Sequence, residues 1–528
     1  MTNTMPAALP VDTKNSNLTL YTVIFYSSAI LLAGAAACYK LLALHYWRYP
    51  GDIFLVEQLL TETLRGNFGL EFAFGKFGCH YYFFLLLLLP FKMLLGSNML
   101  LLLVVLPVIL HLATSIIIFS ASRTLTGSAG LSCVCAMLFL FTPRIMSGLY
   151  SYYHGSAVVD DVSGYSAVLF VLFLVLYNRT NMKKYFYWFL GMYCLFLSLA
   201  ELFVLLGTIY FTINALYYKR RDYVCLAFIS LGIFSMQVYF RDTFFLPTNW
   251  NMFNLGIEGL KFFLNPRLHV GYLLETSPKL LFEYFSVLFL LCFIFLLLFR
   301  RSGKSSILLA SLFLMGLMKC GIGYIVKDPH IHSWHNCPGV IMMTGALVID
   351  IACRPSIKKA ESLLLGLAAG CFILFFLFGD IAFLQKQGRE IADRKEFVSQ
   401  RRDYFVEMIN LIDPDKLSII PDDAKADAIR SGYSRFILAR KFQLRLDTPP
   451  PTVDYILLPA EGAELLYTMT KNGDTDSLRN ISLGSISNDF SLLAGNTYYR
   501  LYHRTGISEV DKQMRSYLFG LMGLPDDT

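Results

Sequence analysis

Residues 81–95 read YYFFLLLLLPFKMLL, and how this stretch sits decides the fold of the whole chain. It is apolar enough for a membrane. It is also only fifteen residues long and is cut by Pro90, whereas a crossing helix needs about 20 residues and tolerates an interior proline poorly. If it crossed, Arg123 would fall outside and the loop at 144–161 inside, against the distribution of basic residues along the rest of the chain. We therefore read it as an interfacial or re-entrant helix on the outer side.

Working outward, apolar runs lie near 19–44, 97–120, 127–143, 162–178, 185–200, 201–218, 224–240, 279–299, 305–326, 338–353 and 361–384. Between them sit basic clusters at Arg123, Arg179/Lys183/Lys184, Lys219/Arg220/Arg221, Arg300/Arg301/Lys304 and Arg354/Lys358/Lys359. Basic loops stay in the cytoplasm. The loops at 45–81, 144–161, 241–278 and 327–337, which carry most of the acidic, histidine and aromatic residues, then face outward. The expected fold class is a polytopic α-helical membrane protein of about 11 transmembrane helices. Residues 1–18 form a cytoplasmic N-terminal tail, 19–390 the transmembrane domain and 391–528 an extracytoplasmic C-terminal α/β domain.

Composition agrees. Of 528 residues, 55% are hydrophobic and only 16% charged, well below the quarter usual in soluble domains. The net charge of +7 is accounted for by the juxtamembrane clusters and calls for no nucleic-acid partner. Residues 1–17 are polar and the first apolar run is long enough to span, so we expect no cleavable signal peptide. The 11 cysteines lie nearly all in apolar runs and none falls in the polar tail, a pattern of buried small side chains rather than a disulfide framework. In that tail Arg401–Ile412 has helical spacing. Leu417–Pro421, Arg435–Phe442, Val453–Pro459 and Tyr498–Arg504 read as strands, with Pro449-Pro450-Pro451 a stiff link.

The chemistry-bearing residues collect in the outward loops. Asp52 follows the turn Tyr49-Pro50-Gly51, and Glu57 comes five residues later, about 140° round a helix from it. A carboxylate at the mouth of a helix bundle can accept a proton from a substrate hydroxyl or hold a divalent cation. Glu62 and Glu71 are read as solvated loop acids. His154 lies near Asp160 and Asp161, among tyrosines that fit an interfacial belt. Glu201 sits at the expected outer tip of a 34-residue apolar stretch, where an ionisable group is functional or paired with a buried base. Lys327, Asp328, His330, His332 and His335 follow closely on Lys319. His-x-His-x-x-His has zinc-like spacing but no evident further ligand, so this set better suits phosphate, or simple exposure.

These residues, in this order, resemble the GT-C superfamily of lipid-dependent glycosyltransferases, and more closely a family of bacterial membrane proteins of unknown function placed near it. Asp52 through Glu57-Gln58 is similar to that family's acid–step–acid-Gln signature, and Arg65-Gly66-Asn67 to its following turn. His80 to Pro90, Tyr153-His154, Ala200-Glu201 and His335 to Pro338 resemble its later elements. Two positions depart. Glu57 stands where the family carries Asp, and Ala200 where it carries Lys, which removes a cation beside Glu201.

The resemblance implies transfer of a sugar from a polyprenyl-(di)phosphate carrier to an envelope glycan, lipid or protein acceptor at the outer face. It implies Asp52 as base, with Glu57 as support or metal ligand for Mg or Mn. His80, His154, Lys327 and His335 then become phosphate or substrate contacts, and Glu201 orients substrate. A transporter or flippase for a lipid-linked substrate is the rival class. It would make Glu201 the critical residue, although repeat halves and broken helices are not evident.

Overall fold

The computed structural model describes residues 15–47, 53–66, 70–72, 75–77, 82–143, 145, 157–199, 201–244, 286–295, 305–325, 336–354, 359–421, 424–433, 436–438, 453–460 and 490–505. Every apolar run identified above contains a helix.

The chain opens with α1 (Asn15–His45) and α2 (Ile53–Leu64). A small antiparallel hairpin of β1 (Leu70–Phe72) and β2 (Gly75–Phe77) follows, then α3 (Tyr82–Leu95). The helices α4 (Met99–Thr126), α5 (Ala129–Leu140), α6 (Ala157–Thr180), α7 (Lys183–Leu197), α8 (Glu201–Tyr218) and α9 (Arg221–Phe244) come next. After them are α10 (Ser286–Phe295), α11 (Ser306–Ile325), α12 (Cys337–Ala352), α13 (Lys359–Phe375) and α14 (Ala382–Ile409).

The fold is mostly helical. Five helical stretches are long and apolar enough to cross a membrane: Leu20–His45, Phe84–Thr126, Val162–Thr180, Arg221–Tyr239 and Leu365–Ile409. Shorter apolar helices at Ala129–Leu140, Leu202–Tyr218, Ser286–Phe295, Ser306–Gly321 and Cys337–Ala352 pack among them. Residues 82–95 are helical, as their composition suggests. Gly96, at φ +54°, then bends the chain before α4. A left-handed glycine also ends α4, where Gly127 at φ +67° returns its N–H to the Arg123 carbonyl. Ser128 then caps α5, accepting from the Leu131 N–H.

Side-chain contacts fix which helix ends lie together. Phe25, near the start of α1, stacks on Phe119, near the end of α4. His111 of α4 meets Tyr165 of α6, and Arg179 donates to the Cys353 carbonyl at the end of α12. Arg220 reaches Asn178. Arg123, Arg179, Arg220 and Arg354 therefore gather at one end of the bundle. The end of α1, the start of α8 and the start of α12 form the other.

Close approach in the middle needs small residues. A Cβ on Gly316 would lie 2.5 Å from the Gly339 carbonyl, and one on Gly345 would lie 2.4 Å from Val168.

The tail is an α/β unit. A six-residue π-helical segment (Phe376–Ile381) joins α13 to α14, so one helix runs from the apolar stretch through residue 390 into the polar tail. Beyond it are β3 (Ser418–Ile420), α15 (Lys425–Arg430), β4 (Phe436–Leu438), β5 (Tyr455–Pro459), β6 (Phe490–Gly495) and β7 (Tyr499–Arg504). The sheet order is β4-β3-β5-β7-β6. β3 pairs parallel with β4 and β5, and the last pairings are antiparallel, with a bulge between Leu492 and Ala494. Four of these strands fall inside the segments expected from sequence; β6 and α15 were not anticipated. The triple-proline link lies outside the described residues.

Candidate functional site

Helix α2 is where the sequence and the structure meet. Asp52 lies outside the described residues but directly precedes Ile53, the first residue of the helix. Ile53, Phe54, Val56, Leu59 and Leu60 are buried, which seats α2 against α3 and α4. Its polar residues are buried too. Glu57 is 1% exposed and Glu62 is 3% exposed, the latter bonded to Arg65 at 3.1 Å. The expectation that Glu62 is a solvated loop acid is corrected: the residue is buried on the helix and bonded to Arg65.

Glu57 is held by a partner the sequence did not reveal. The Lys92 ammonium, from α3, donates to Glu57 Oε1 and, at 3.1 Å, to the Gly96 carbonyl at the α3–α4 bend. Both residues are buried, and among the described residues Glu57 Oε2 accepts no hydrogen bond. Burial pushes the Glu57 carboxyl up to about 7, against the hydrogen bond and the positive charge of Lys92, which pull it down. The signal that could have found Lys92 is plain in hindsight: a lone ammonium in a strongly apolar segment needs a counter-charge.

The C-terminal unit closes over this helix. Trp47, at φ +56° just past α1, donates from Nε1 to Asp427 Oδ2 at 2.6 Å. Arg402 donates to the same oxygen at 2.8 Å, and Arg430 donates to Oδ1 at 3.0 Å. Arg402 also donates to the His45 carbonyl, and Arg394 to the Trp47 carbonyl at 3.1 Å. The Trp47 ring packs edge-on against Phe397 and Phe405. The Lys425 ammonium lies 4.9 Å from the centre of the Phe54 ring on α2. Asp427 is thus a buried hub that ties the tail to the end of α1 and covers the helix that follows Asp52.

The elements beside the other expected site residues are described in varying detail. Glu201 opens α8, at a turn stitched by Gln237 of α9, whose amide donates to the Leu197 and Leu199 carbonyls at 3.0 and 2.9 Å. The Glu201 side chain is outside the described residues, as are His80, His154, Lys327, His330, His332 and His335. Of the described residues near them, Tyr82 begins α3, Ala157 begins α6, Ile325 ends α11 and Asn336 directly precedes α12. Lys319 of α11 is buried, with its ammonium 4.9 Å from the Phe203 ring centre two residues after Glu201.

A divalent cation fits Glu57 poorly. One oxygen already holds an ammonium, and among the described residues no group of three or more His, Cys, Asp or Glu comes together. The described cysteines are free thiols. The chain matches no protein-family model and no curated protein sequence.

Proposed function

We propose that this chain is a GT-C-like membrane glycosyltransferase that moves a sugar from a polyprenyl-(di)phosphate carrier to an envelope acceptor. In this reading it has about eleven spans, with the N-terminus in the cytoplasm and the tail outside a bacterial inner membrane. The observation that carries the reading is Glu57. A buried carboxyl with one unpaired oxygen lies on the helix that begins directly after Asp52, and the tail unit covers that helix. The Lys92 ammonium takes one oxygen of that carboxyl and leaves the other without a partner among the described residues, and buried ionisable groups near a membrane are costly unless they are paired or used.

The chemistry asks little of the protein. The acceptor oxygen attacks the anomeric carbon as the bond from that carbon to the carrier phosphate breaks, and the phosphate leaves with the electron pair. Asp52 takes the acceptor proton. Glu57 supports it from the helix that follows Asp52, and no step passes through a metal. His80, His154, Lys327 and His335 donate to the departing phosphate, where charge develops, and Glu201 orients the sugar. The tail unit excludes water, so that the acceptor hydroxyl is favoured over hydrolysis.

The reading is tested by comparing Asp52→Asn with Glu201→Gln in purified, folded protein. Loss of transfer in Asp52→Asn supports it. Transfer that survives Asp52→Asn and is lost in Glu201→Gln counts against Asp52 as the base.

A further inference from the structure

We propose that Lys92 is the fixed cation of this site, a positioning residue that takes the place on Glu57 a divalent metal would take. The proposal rests on the Glu57 assignment made above. Lys92 donates to Glu57 Oε1 and to the Gly96 carbonyl, so one ammonium ties α2 to the bend between α3 and α4. Gly96 holds that bend at φ +54°, a conformation glycine adopts readily. The contact therefore fixes both the orientation of the Glu57 carboxyl and the seat of the helix that Asp52 precedes.

The surroundings favour a protein cation over a metal. Mg²⁺ and Mn²⁺ seek several oxygen ligands and keep much of their water. Glu57 is nearly fully buried, and among the described residues no group of three or more His, Cys, Asp or Glu comes together around it. Two ammonium groups pack on α2 from different elements, Lys92 from α3 and Lys425 from α15. On α2's own side, Glu62 is bonded to Arg65. On α15, Asp427 is bonded to Arg402 and Arg430. A dication beside Glu57 would meet the Lys92 ammonium directly.

The test uses full-length protein in detergent, with Mn²⁺ as probe. Paramagnetic titration is expected to find no Mn²⁺ site that depends on Glu57: wild type and Glu57→Gln bind equally, or neither binds. A site present in wild type and lost in Glu57→Gln overturns the proposal. Infrared difference spectra against Glu57→Gln, at pH 8, read the carboxyl itself. Glu57 is expected ionised in wild type and in Lys92→Arg and protonated in Lys92→Met, its titration moving upward by about one to three pH units. An unchanged carboxyl in Lys92→Met overturns the positioning role. Neither arm needs a substrate, so both stand if the transfer reading fails, and the Mn²⁺ arm stands if Lys92→Met does not fold. Where transfer is measurable, Lys92→Met is expected to lower kcat by about 10- to 100-fold, with rescue by Lys92→Arg.

Discussion

Removing the Asp427 carboxylate should release the tail from the membrane bundle. The side chain is 5% exposed and accepts from Trp47, Arg402 and Arg430 at once. Deleting one partner of a fully buried ion pair costs about 3–5 kcal/mol, because the charge left behind is uncompensated. Here Arg402 and Arg430 keep 23% and 34% of their side-chain exposure, so water recovers part of that loss, and we take about 2–3 kcal/mol for Asp427→Ala. The stranded indole N–H is included in that range. Trp47 is a bulky residue in the left-handed region, a conformation that persists only when its surroundings enforce it, so the end of α1 should loosen with it. Hydrogen exchange in detergent reads this directly. Amides of α14 and α15 near the contact should lose protection by about 30- to 160-fold, while those of α6 and α12 stay unchanged. Asp427→Asn, which keeps an acceptor for the indole, should fall between. Unchanged protection in Asp427→Ala would refute the hub, since it would mean the domains are held by apolar packing alone.

Further outcomes follow from other contacts. Glu57 binds its proton more tightly folded, near pH 7, than unfolded, near 4.5. Its contribution to stability is therefore whole below 4.5 and lost as pH rises through 7, about 3 kcal/mol in all. Thermal melts of wild type should fall relative to Glu57→Gln across that window, and parallel curves would count against the buried carboxyl. Gly316→Ala drives a methyl into the Gly339 carbonyl and should cost about 1–3 kcal/mol, read as a lower melting temperature. A neutral result would mean α11 and α12 are not in close contact. Asp350→Ala removes the buried carboxylate bonded to Arg354, whose side chain is 2% exposed beside it, and should cost about 3–5 kcal/mol by the same melts; an effect below 1 kcal/mol would sink that assignment.

What the sequence made legible is what local composition controls. The helices follow from long apolar runs, and residues 81–95 declare a short helix through their length and Pro90. Strands such as Tyr455–Pro459 follow from dense apolar character between turn signals. Strand β6 was hidden because Phe490–Gly495 does not alternate: its side chains are mostly exposed and a bulge interrupts its pairing. The change from apolar to polar composition near residue 390 suggested a domain border, yet it falls inside one helix, because α14 continues the backbone hydrogen bonding while its surroundings change.

The pairings that build the candidate site are of another kind. Glu57 and Lys92 are 35 residues apart, and Trp47 and Asp427 are 380 apart. No period or motif links such residues; only the packed bundle brings them together. Sequence reading therefore found Glu57 and missed both of the groups that hold its helix in place.

The most direct measurement is sugar transfer in nanodiscs, with radiolabelled polyprenyl-phosphate donors and envelope acceptors, for wild type beside a well-folded Asp52→Asn protein. The account predicts labelled product from wild type and none above background from Asp52→Asn. Equal transfer by both proteins would contradict the role given to Asp52, and no transfer from any donor, with the same substrates moved across a bilayer by wild type, would contradict the enzyme reading itself.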